Sequence, residues 1–318
     1  MRKRVAAIVS VILVGTAWTE VPAQRFGLLH RLREARAGAA PKTDGAVSVP
    51  LSFGGLDRHY QLLDVHRGHA PAPLVIVLHG GGGNGGTMIA RWSAQARSAG
   101  LVVAAPDGIG RRDRMGTWNA GGCCGEAMSR GVDDVGFVRA VAEDVARRTA
   151  IDPAQIYIVG FSNGAMLAHR VAITMGDRIA AAAMVSGAIF GNEPRPVAAV
   201  PVLIIHGEKD DVVAFSGGKS PTGFVARAQM RPFLPTRQSV DFWRQADGCA
   251  ASPGVTRQPG LVIEHSMACA KGGEVVFYDI PGGGHEWPGA AKRPASSGGG
   301  DTLDATDVIW RFFQDHHR

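Results

Sequence analysis

The chain has little cysteine, no concentrated basic block, and no long apolar segment beyond its first residues. Only 4 of its 318 residues are cysteine, and none stands in the CxxC spacing that zinc sites favour. The net charge of +6 comes from dispersed arginines rather than from a basic stripe with interleaved aromatics, which argues against a nucleic-acid partner. The composition therefore predicts neither a bound metal nor a nucleic-acid ligand.

The one extended apolar run lies at the N-terminus. Arg2-Lys3-Arg4 precede an apolar stretch from Val5 to Val14, and Val21-Pro22-Ala23 then supplies a small-residue cleavage site. This succession is typical of a secretory signal peptide, and the run is short for a membrane span. We predict a signal peptide over residues 1–23 and an exported protein with no membrane contact after cleavage. A retained membrane anchor is the alternative.

Export changes how the cysteines are interpreted, because disulfides persist in oxidising compartments. Four cysteines permit three pairings. Cys249 and Cys269 flank a short excursion of the chain, which suits a bridge. Cys123 and Cys124 are adjacent, so either they pair with each other or one of them pairs elsewhere. All four are disulfide candidates.

Apolar runs alternate with helical patterns along most of the chain. Residues 24–46 are polar, and we expect a flexible leader there, followed by one domain at 47–318. Continuous apolar runs such as Pro73–Leu78 are typical of strands buried on both faces, and they alternate with segments of helical periodicity such as 133–149. This alternation predicts an α/β fold with a mostly parallel central sheet and helices on both faces. Residues 215–236 lack periodicity and are expected to form a surface excursion or lid.

The pentad Gly160-Phe161-Ser162-Asn163-Gly164 is the strongest chemical signal. It follows the apolar run Ile156–Val159 and precedes a segment of helical spacing, with Leu167 on its apolar side and His169 on the other. A strand, a GxSxG turn and a helix form the context of a nucleophile elbow, whose strained turn exposes the serine hydroxyl. Side chains two residues before and after the serine would collide, which explains both glycines. Ser162 is therefore the candidate nucleophile.

A serine nucleophile needs a histidine base and an orienting carboxylate. After a GxSxG elbow the carboxylate comes next in the chain and the histidine last. His285 lies in a glycine-rich loop after the apolar run 274–280 and is the candidate base. His206 ends an earlier strand, where a structural role is commoner, and His265 lies before the last strand inside the disulfide excursion.

Asp210 is the candidate acid. It follows the apolar run 200–205 within His206-Gly207-Glu208-Lys209-Asp210-Asp211. Parallel strands release such loops at their carboxyl ends, where ligand sites form in open α/β sheets. Asp211 and Glu208 remain alternatives, because the geometry of a loop cannot be assigned to one residue from sequence.

An oxyanion hole requires two backbone N–H groups near the nucleophile. Asn163, at the start of the elbow helix, is expected to supply one of them. The glycine-rich loop His79–Gly85 is expected to supply the other, from Gly81 or, as the alternative, from Gly82. No Gly-Lys-Ser or Gly-Lys-Thr follows this loop, so a phosphate loop is excluded there.

Five segments together resemble a known family. They are Leu78-His79-Gly80-Gly81-Gly82-Gly83-Asn84, Trp118-Asn119-Ala120-Gly121-Gly122-Cys123-Cys124-Gly125, Val132-Asp133-Asp134-Val135-Gly136-Phe137, Gly160-Phe161-Ser162-Asn163-Gly164-Ala165-Met166, and Gly283-Gly284-His285-Glu286-Trp287-Pro288-Gly289. The chain is similar to the secreted esterases grouped as polyhydroxybutyrate depolymerase-like or feruloyl esterase-like proteins of the α/β-hydrolase superfamily. The resemblance implies an α/β-hydrolase fold without a cofactor, with Ser162 as nucleophile, Asp210 as acid and His285 as base.

Two departures from the family pattern bear on the substrate. His206-Gly207-Glu208 stands where such proteins often have His-Gly-Thr, and the stretch 216–235 is longer than usual. Trp118 and Trp287 match family positions. Their indoles are either walls of a substrate site for an apolar acyl group or anchors of the core and loops.

Residues and resemblance together predict a secreted serine carboxylic-ester hydrolase that works through an acyl-enzyme. Its candidate substrates are polyhydroxyalkanoates such as polyhydroxybutyrate, feruloyl or acetyl esters of polysaccharide, and small soluble esters. One alternative is an acyltransferase that uses the same residues. Another is an exported polymer-binding protein without turnover, against which the complete Ser/Asp/His set argues.

Overall fold

One large β-sheet organises the part of the chain that the computed structural model describes, which comprises residues 45–68, 70–110, 115–250, 252–289 and 303–318. Its strands are β1 Val47–Phe53, β2 Leu56–Asp64, β3 Ala72–Leu78, β4 Val102–Pro106, β5 Ile151–Phe161, β6 Ala181–Val185, β7 Val202–Gly207, β8 Gly254–Gln258, β9 Leu261–Ser266 and β10 Val275–Ile280. They lie in the order β1-β2-β4-β3-β5-β6-β7-β10-β9-β8. Within the run from β4 to β10 in that order, each strand is parallel to the next. Antiparallel strands extend both edges.

The helices of the described residues connect these strands. They are α1 Gly85–Ala99, α2 Gly125–Ser129, α3 Asp134–Arg148, α4 Asn163–Met175, α5 Gly223–Ala228, α6 Thr236–Ala246 and α7 Ala305–Gln314, with a 3₁₀ turn at Ala270–Gly272. Phe137 of α3, Leu167 of α4 and Trp243 of α6 pack into the core on one face of the sheet. Trp92 of α1 and Phe313 of α7 pack into the core on the other face. The predicted α/β fold with helices on both faces is confirmed.

Strand β3 shows why a continuous apolar run forms a central strand. Successive side chains of a strand point to opposite faces, so Leu74, Ile76 and Leu78 join one core and Val75 and Val77 join the other. All five side chains are fully buried. A polar residue at any of these positions would leave an unpaired polar group inside one of the two cores.

The sequence pattern placed His169 on the side of helix α4 away from its apolar residues, but the structure buries that side as well. His169 is buried beneath α6, and the indole N–H of Trp243 donates to its Nδ1 at 3.0 Å. Burial and, secondarily, the proximity of His206 lower the pKa of His169 to about 3. The ring is therefore neutral, and both faces of the elbow helix are held by packing.

The excursion between Cys249 and Cys269 is an antiparallel hairpin, β8–β9, which the sequence pattern did not predict. Strand β9 pairs with β10 and extends the sheet. Every residue of β8 is exposed, so this edge strand has no apolar alternation to predict it. Two disulfides form, Cys249–Cys269 across 20 residues and Cys123–Cys124 between neighbours. Closing a loop of 20 residues, as the Cys249–Cys269 bridge does, stabilises a fold by about 3 kcal/mol.

The predicted signal peptide at 1–23 and residues 24–44 of the predicted leader lie outside the described residues. Strand β1 begins at Val47, and residues 45–318 contain every element named above. In that described part of the chain, no helix combines the length and the apolar character needed to cross a membrane.

Asp247, at the C-terminal end of α6, has a buried carboxyl group whose pKa lies well above its usual value. Burial raises its pKa to about 7, although the Val200 N–H donates to its Oδ1. An unfolded chain releases this proton near pH 4, while the folded chain retains it up to about pH 7. The free energy of unfolding therefore falls as pH rises through that window.

Replacing Asp247 with asparagine keeps the shape of the neutral acid and removes the buried charge. We expect Asp247→Asn to change the free energy of unfolding little near pH 4.5 and to raise it by about 2–4 kcal/mol near pH 8. Denaturant titrations of both proteins at the two pH values measure this difference. A gain that is the same at both pH values would contradict the assignment.

Candidate active site

The carboxyl ends of parallel strands bring three candidate side chains to one edge of the sheet. Ser162 directly follows β5, Asp210 follows β7, and His285 follows β10. Strands β7 and β10 are neighbours, and only β6 separates β7 from β5. Residues that are 123 positions apart in the chain therefore meet in space.

The turn at Ser162 has the conformation that a nucleophile elbow requires. Its φ of 55° and ψ of −122° are strained for a residue with a side chain. A Cβ on Gly160 would lie 2.2 Å from the carbonyl oxygen of Gly164, and one on Gly164 would lie 2.4 Å from that of Leu78. Both positions therefore exclude any side chain, which is why this turn is flanked by glycines.

A continuous hydrogen-bonded relay connects the serine to the acid. Ser162 Oγ lies 2.9 Å from His285 Nε2, and His285 Nδ1 lies 2.8 Å from Asp210 Oδ2. The carboxylate accepts a hydrogen bond from the Nδ1–H group, which leaves Nε2 as the acceptor for the serine hydroxyl. The imidazole thus has the tautomer that a general base needs.

Asp210 is held as an ionised acceptor. Its Oδ1 accepts the N–H groups of Val212 and Val213 at 2.8 and 2.7 Å. Burial raises the pKa of this carboxyl, but hydrogen bonds from His206 and His285 outweigh burial, and the pKa lies well below its usual value. The acid is therefore charged across the neutral range, where it stabilises a cationic imidazole.

His206 has a supporting position that the sequence did not specify. Its Nε2 lies 2.8 Å from the carbonyl oxygen of Val213 and 3.3 Å from Asp210 Oδ2. Both atoms are acceptors, so Nε2 carries the proton, and Nδ1 accepts from the Thr236 hydroxyl at 3.3 Å. The ring therefore holds the loop of the acid and does not contact Ser162.

The rival acids and the other candidate base lie away from the relay. Asp211 and Glu208 are exposed, and the relay contacts described above involve Asp210 alone. His265 lies on β9, where its Nε2 pairs with Glu274. Of the alternatives that the sequence left open, none occupies the position next to Ser162.

The glycine loop after β3 lies against the elbow. A Cβ on Gly80 would be 3.2 Å from that of Ser162, and one on Gly81 would be 3.7 Å from that of Asn163. Gly82 donates its N–H to the carbonyl of Gly116 at 2.8 Å, so this N–H is not free for an oxyanion. Among the described residues, no backbone acceptor takes the Gly81 N–H, which makes Gly81 the better second donor.

His79 fixes the orientation of that loop. Its Nε2 accepts the Gly108 N–H at 2.9 Å, so its Nδ1 carries the proton and donates to the Gly80 carbonyl at 2.8 Å. The Gly83 N–H donates to the same carbonyl at 2.9 Å. A trans peptide directs its N–H opposite to its carbonyl, so the two donors also fix the direction of the Gly81 N–H.

The Asn163 side chain clamps the loop that begins at Trp118. Its Oδ1 accepts the Trp118 N–H at 2.7 Å, and its Nδ2 donates to the carbonyls of Trp118 and Cys123 at 3.1 and 3.4 Å. These contacts fix the first residue of α4, whose backbone N–H is the other candidate oxyanion donor. The helix N-terminus adds a favourable partial positive charge at this point.

Trp118 and Trp287 were candidates for substrate contact, and the structure gives both indoles anchoring contacts instead. Trp118 is fully buried, and its indole N–H donates to the His79 carbonyl at 2.8 Å. Trp287 is also buried, and its indole N–H donates to the Thr306 hydroxyl at 3.1 Å. Both rings are packed against other parts of the protein. Their packing holds the glycine loop and the His285 loop.

The described residues supply the hydrogen-bonded relay of Ser162, His285 and Asp210 and the two candidate oxyanion donors, the N–H groups of Gly81 and Asn163. In that part of the chain, no group of three or more His, Cys, Asp or Glu side chains is arranged to hold a metal ion. The arrangement can deprotonate a hydroxyl, attack a carbonyl carbon and hold the resulting oxyanion.

The chain is similar in sequence to known esterases. The family model described as phospholipase/carboxylesterase matches residues 137–231. The putative esterase NocK of Nocardia uniformis subsp. tsuyamanensis is 31% identical over 247 residues, which cover 72% of this chain and 70% of NocK. Feruloyl esterase B of Piromyces equi is 30% identical over 230 residues, which cover 69% of this chain but only 40% of that protein.

A solved structure supports the fold. The acetyl xylan esterase from Aspergillus awamori superposes with a TM-score of 0.57 at 12% identity, over 84% of this chain and 99% of that one. At this identity the similarity concerns the arrangement of strands and helices alone.

Proposed function

This chain belongs to the esterase family of the α/β-hydrolase superfamily that includes NocK, and we propose that it hydrolyses carboxylic esters through Ser162, His285 and Asp210. One observation carries the proposal. A hydrogen-bonded relay of 2.9 and 2.8 Å runs from the serine hydroxyl through the imidazole to a charged, buried carboxylate. Such a relay is of little use to a protein that only binds a polymer.

In the first half of the proposed reaction, Ser162 Oγ attacks the ester carbonyl carbon while His285 Nε2 takes the hydroxyl proton. The carbonyl oxygen becomes an oxyanion, which the N–H groups of Gly81 and Asn163 stabilise. The ester C–O bond then breaks, and His285 gives its proton to the departing alcohol. An acyl group remains on Ser162.

In the second half, His285 Nε2 removes a proton from water, and the hydroxide attacks the acyl carbon. The oxyanion forms again in the same place. When the bond to Ser162 Oγ breaks, His285 returns the proton to the serine, and the carboxylic acid leaves. Asp210 keeps the imidazole oriented in both halves and stabilises its cation.

We propose feruloyl or acetyl esters of plant polysaccharide as the substrate class. Feruloyl esterase B is a relative by sequence, and its name gives the acyl group. Polyhydroxybutyrate, which the sequence motifs suggest, is the second substrate class. Two disulfides in the described residues support the companion proposal that the protein is exported to an oxidising compartment.

A hydrolysis panel tests the proposed function. We expect 4-nitrophenyl acetate, methyl ferulate and acetylated xylan to be cleaved, and we expect lower rates on hydroxybutyrate oligomers. Added alcohol acceptors should not become the main acyl products, since an acyltransferase would transfer the acyl group to them. No burst of nitrophenol from the folded protein would favour a binding protein without turnover and would refute the proposal.

A further inference from the structure

The loop segment 212–235 follows the proposed triad acid. Its first two residues, Val212 and Val213, hold Asp210 and His206, and the rest of the segment has no role in the chemistry above. It is an ordered surface loop rather than an open lid. Gly218 and Phe233 exchange backbone hydrogen bonds of 2.8 and 2.9 Å. The Gln229 side chain bridges the Ser220 N–H and the Gly218 carbonyl at 2.9 and 3.0 Å. A loop closed by its own hydrogen bonds offers a fixed surface.

This segment lies against the loop that supports the nucleophile. The N–H groups of Met230 and Arg231 donate to the Gly122 carbonyl at 2.9 and 3.2 Å. Gly122 precedes Cys123, whose carbonyl accepts from the side chain of Asn163. One short chain of contacts therefore connects the 212–235 segment to the residue next to the nucleophile.

The exposed side chains of the segment are of two kinds. Phe224 and Met230 are 69% and 75% exposed, and exposed large apolar side chains are a feature of interaction surfaces when they cluster. Lys219, Arg227 and Arg231 are also exposed. The segment contains these three cations and no acidic residue, and none of the three has an ion-pair partner among the described residues. On α5, Phe224 and Arg227 are three positions apart and so share a side of the helix.

We propose that the 212–235 segment docks the acidic polysaccharide chain that carries the ester. This inference rests on the proposed function. Guanidinium groups pair with carboxylates in a bidentate manner, and a phenyl ring covers the apolar face of a sugar. A polysaccharide that bears uronic acids offers both kinds of contact. An uncharged polyester would use the apolar side chains and leave the three cations without partners.

Binding to a polymer without esters tests the inference independently of turnover. The probe is de-esterified xylan that bears glucuronic acid, compared with the same xylan after its carboxyl groups have been reduced to alcohols. The test variant replaces Lys219, Arg227 and Arg231 with glutamine. The matched control is Arg67→Gln/Arg139→Gln/Arg257→Gln, which removes the same charge from exposed positions outside the segment. Thermal denaturation establishes that both variants are folded.

We expect the wild-type protein to bind the acidic xylan about tenfold more tightly than the reduced xylan, and added salt to weaken this preference. The test variant should lose this preference, and the control variant should keep most of it. Equal binding of the two polymers, no binding of either, or equal losses in both variants would overturn the inference. Binding of the wild-type protein to anionic phospholipid vesicles but not to the xylan would also overturn it.

Hydrolysis of 4-nitrophenyl acetate by the wild-type protein reports the proposed function separately. If that ester is not cleaved, the proposed function fails, while the two xylans still decide whether the segment recognises carboxylates. If the ester is cleaved and the two xylans bind alike, the hydrolase assignment stands and the docking inference fails.

Discussion

Ser162→Ala is expected to lower kcat on 4-nitrophenyl acetate by about 10⁴- to 10⁶-fold. The substitution removes the only atom that can carry the acyl group and leaves the oxyanion donors in place. Because the substitution removes a single hydroxyl from a small side chain, the fold should be retained. Steady-state hydrolysis and thermal denaturation of the variant measure the two effects.

Ser98→Ala is the matched control for this change. Ser98 is an exposed serine on α1 whose hydroxyl contacts the Gln95 carbonyl, and its replacement should leave kcat unaltered. A Ser162→Ala protein with a rate near that of the Ser98→Ala protein would refute the assignment of the nucleophile.

Asp210→Asn is expected to lower kcat by about 10⁴-fold with little change in KM. An amide at this position can present an N–H to His285 Nδ1, which then accepts a hydrogen bond and places its proton on Nε2. In that tautomer the ring cannot take the proton of Ser162. The buried carboxylate charge that stabilises the imidazolium is lost as well.

Asp211→Asn and Glu208→Gln are the controls, because both residues belong to the same loop and were alternatives for the acid. Their exposed side chains take no part in the relay contacts, so kcat should change by less than about twofold, as for surface substitutions elsewhere. Measurements of kcat for all three variants decide which of the three side chains is the acid. A large loss in either control together with a small loss in Asp210→Asn would contradict the geometry.

The sequence allowed the central sheet to be predicted because its strands are buried on both faces. A run such as 73–78 contains no polar residue, and few structures other than a central strand accommodate it. Strand β8 could not be predicted in this way, because all its residues are exposed. The burial of His169 was also missed, since its partner Trp243 lies 74 residues away.

The candidate triad could be predicted because each residue follows a strand whose apolar pattern is strong. The hydrogen bonds that hold the triad and the glycine loop in place could not be predicted. The role of His79 depends on Gly108, and that of His206 depends on Val213 and Thr236. Such hydrogen bonds between backbone and side chain leave no periodic signal. Likewise, the choice between Gly81 and Gly82 rests on one contact to Gly116.

Covalent capture tests most directly whether His285 makes the Ser162 hydroxyl nucleophilic. The protein is treated with a fluorophosphonate ester, which forms a stable bond with an activated serine, and the labelled peptide is identified by mass spectrometry. We predict one label, on Ser162, and labelling of the His285→Ala protein that is slower by orders of magnitude. An active preparation that carries the label on another residue, or a His285→Ala protein that labels at the wild-type rate, would contradict the account.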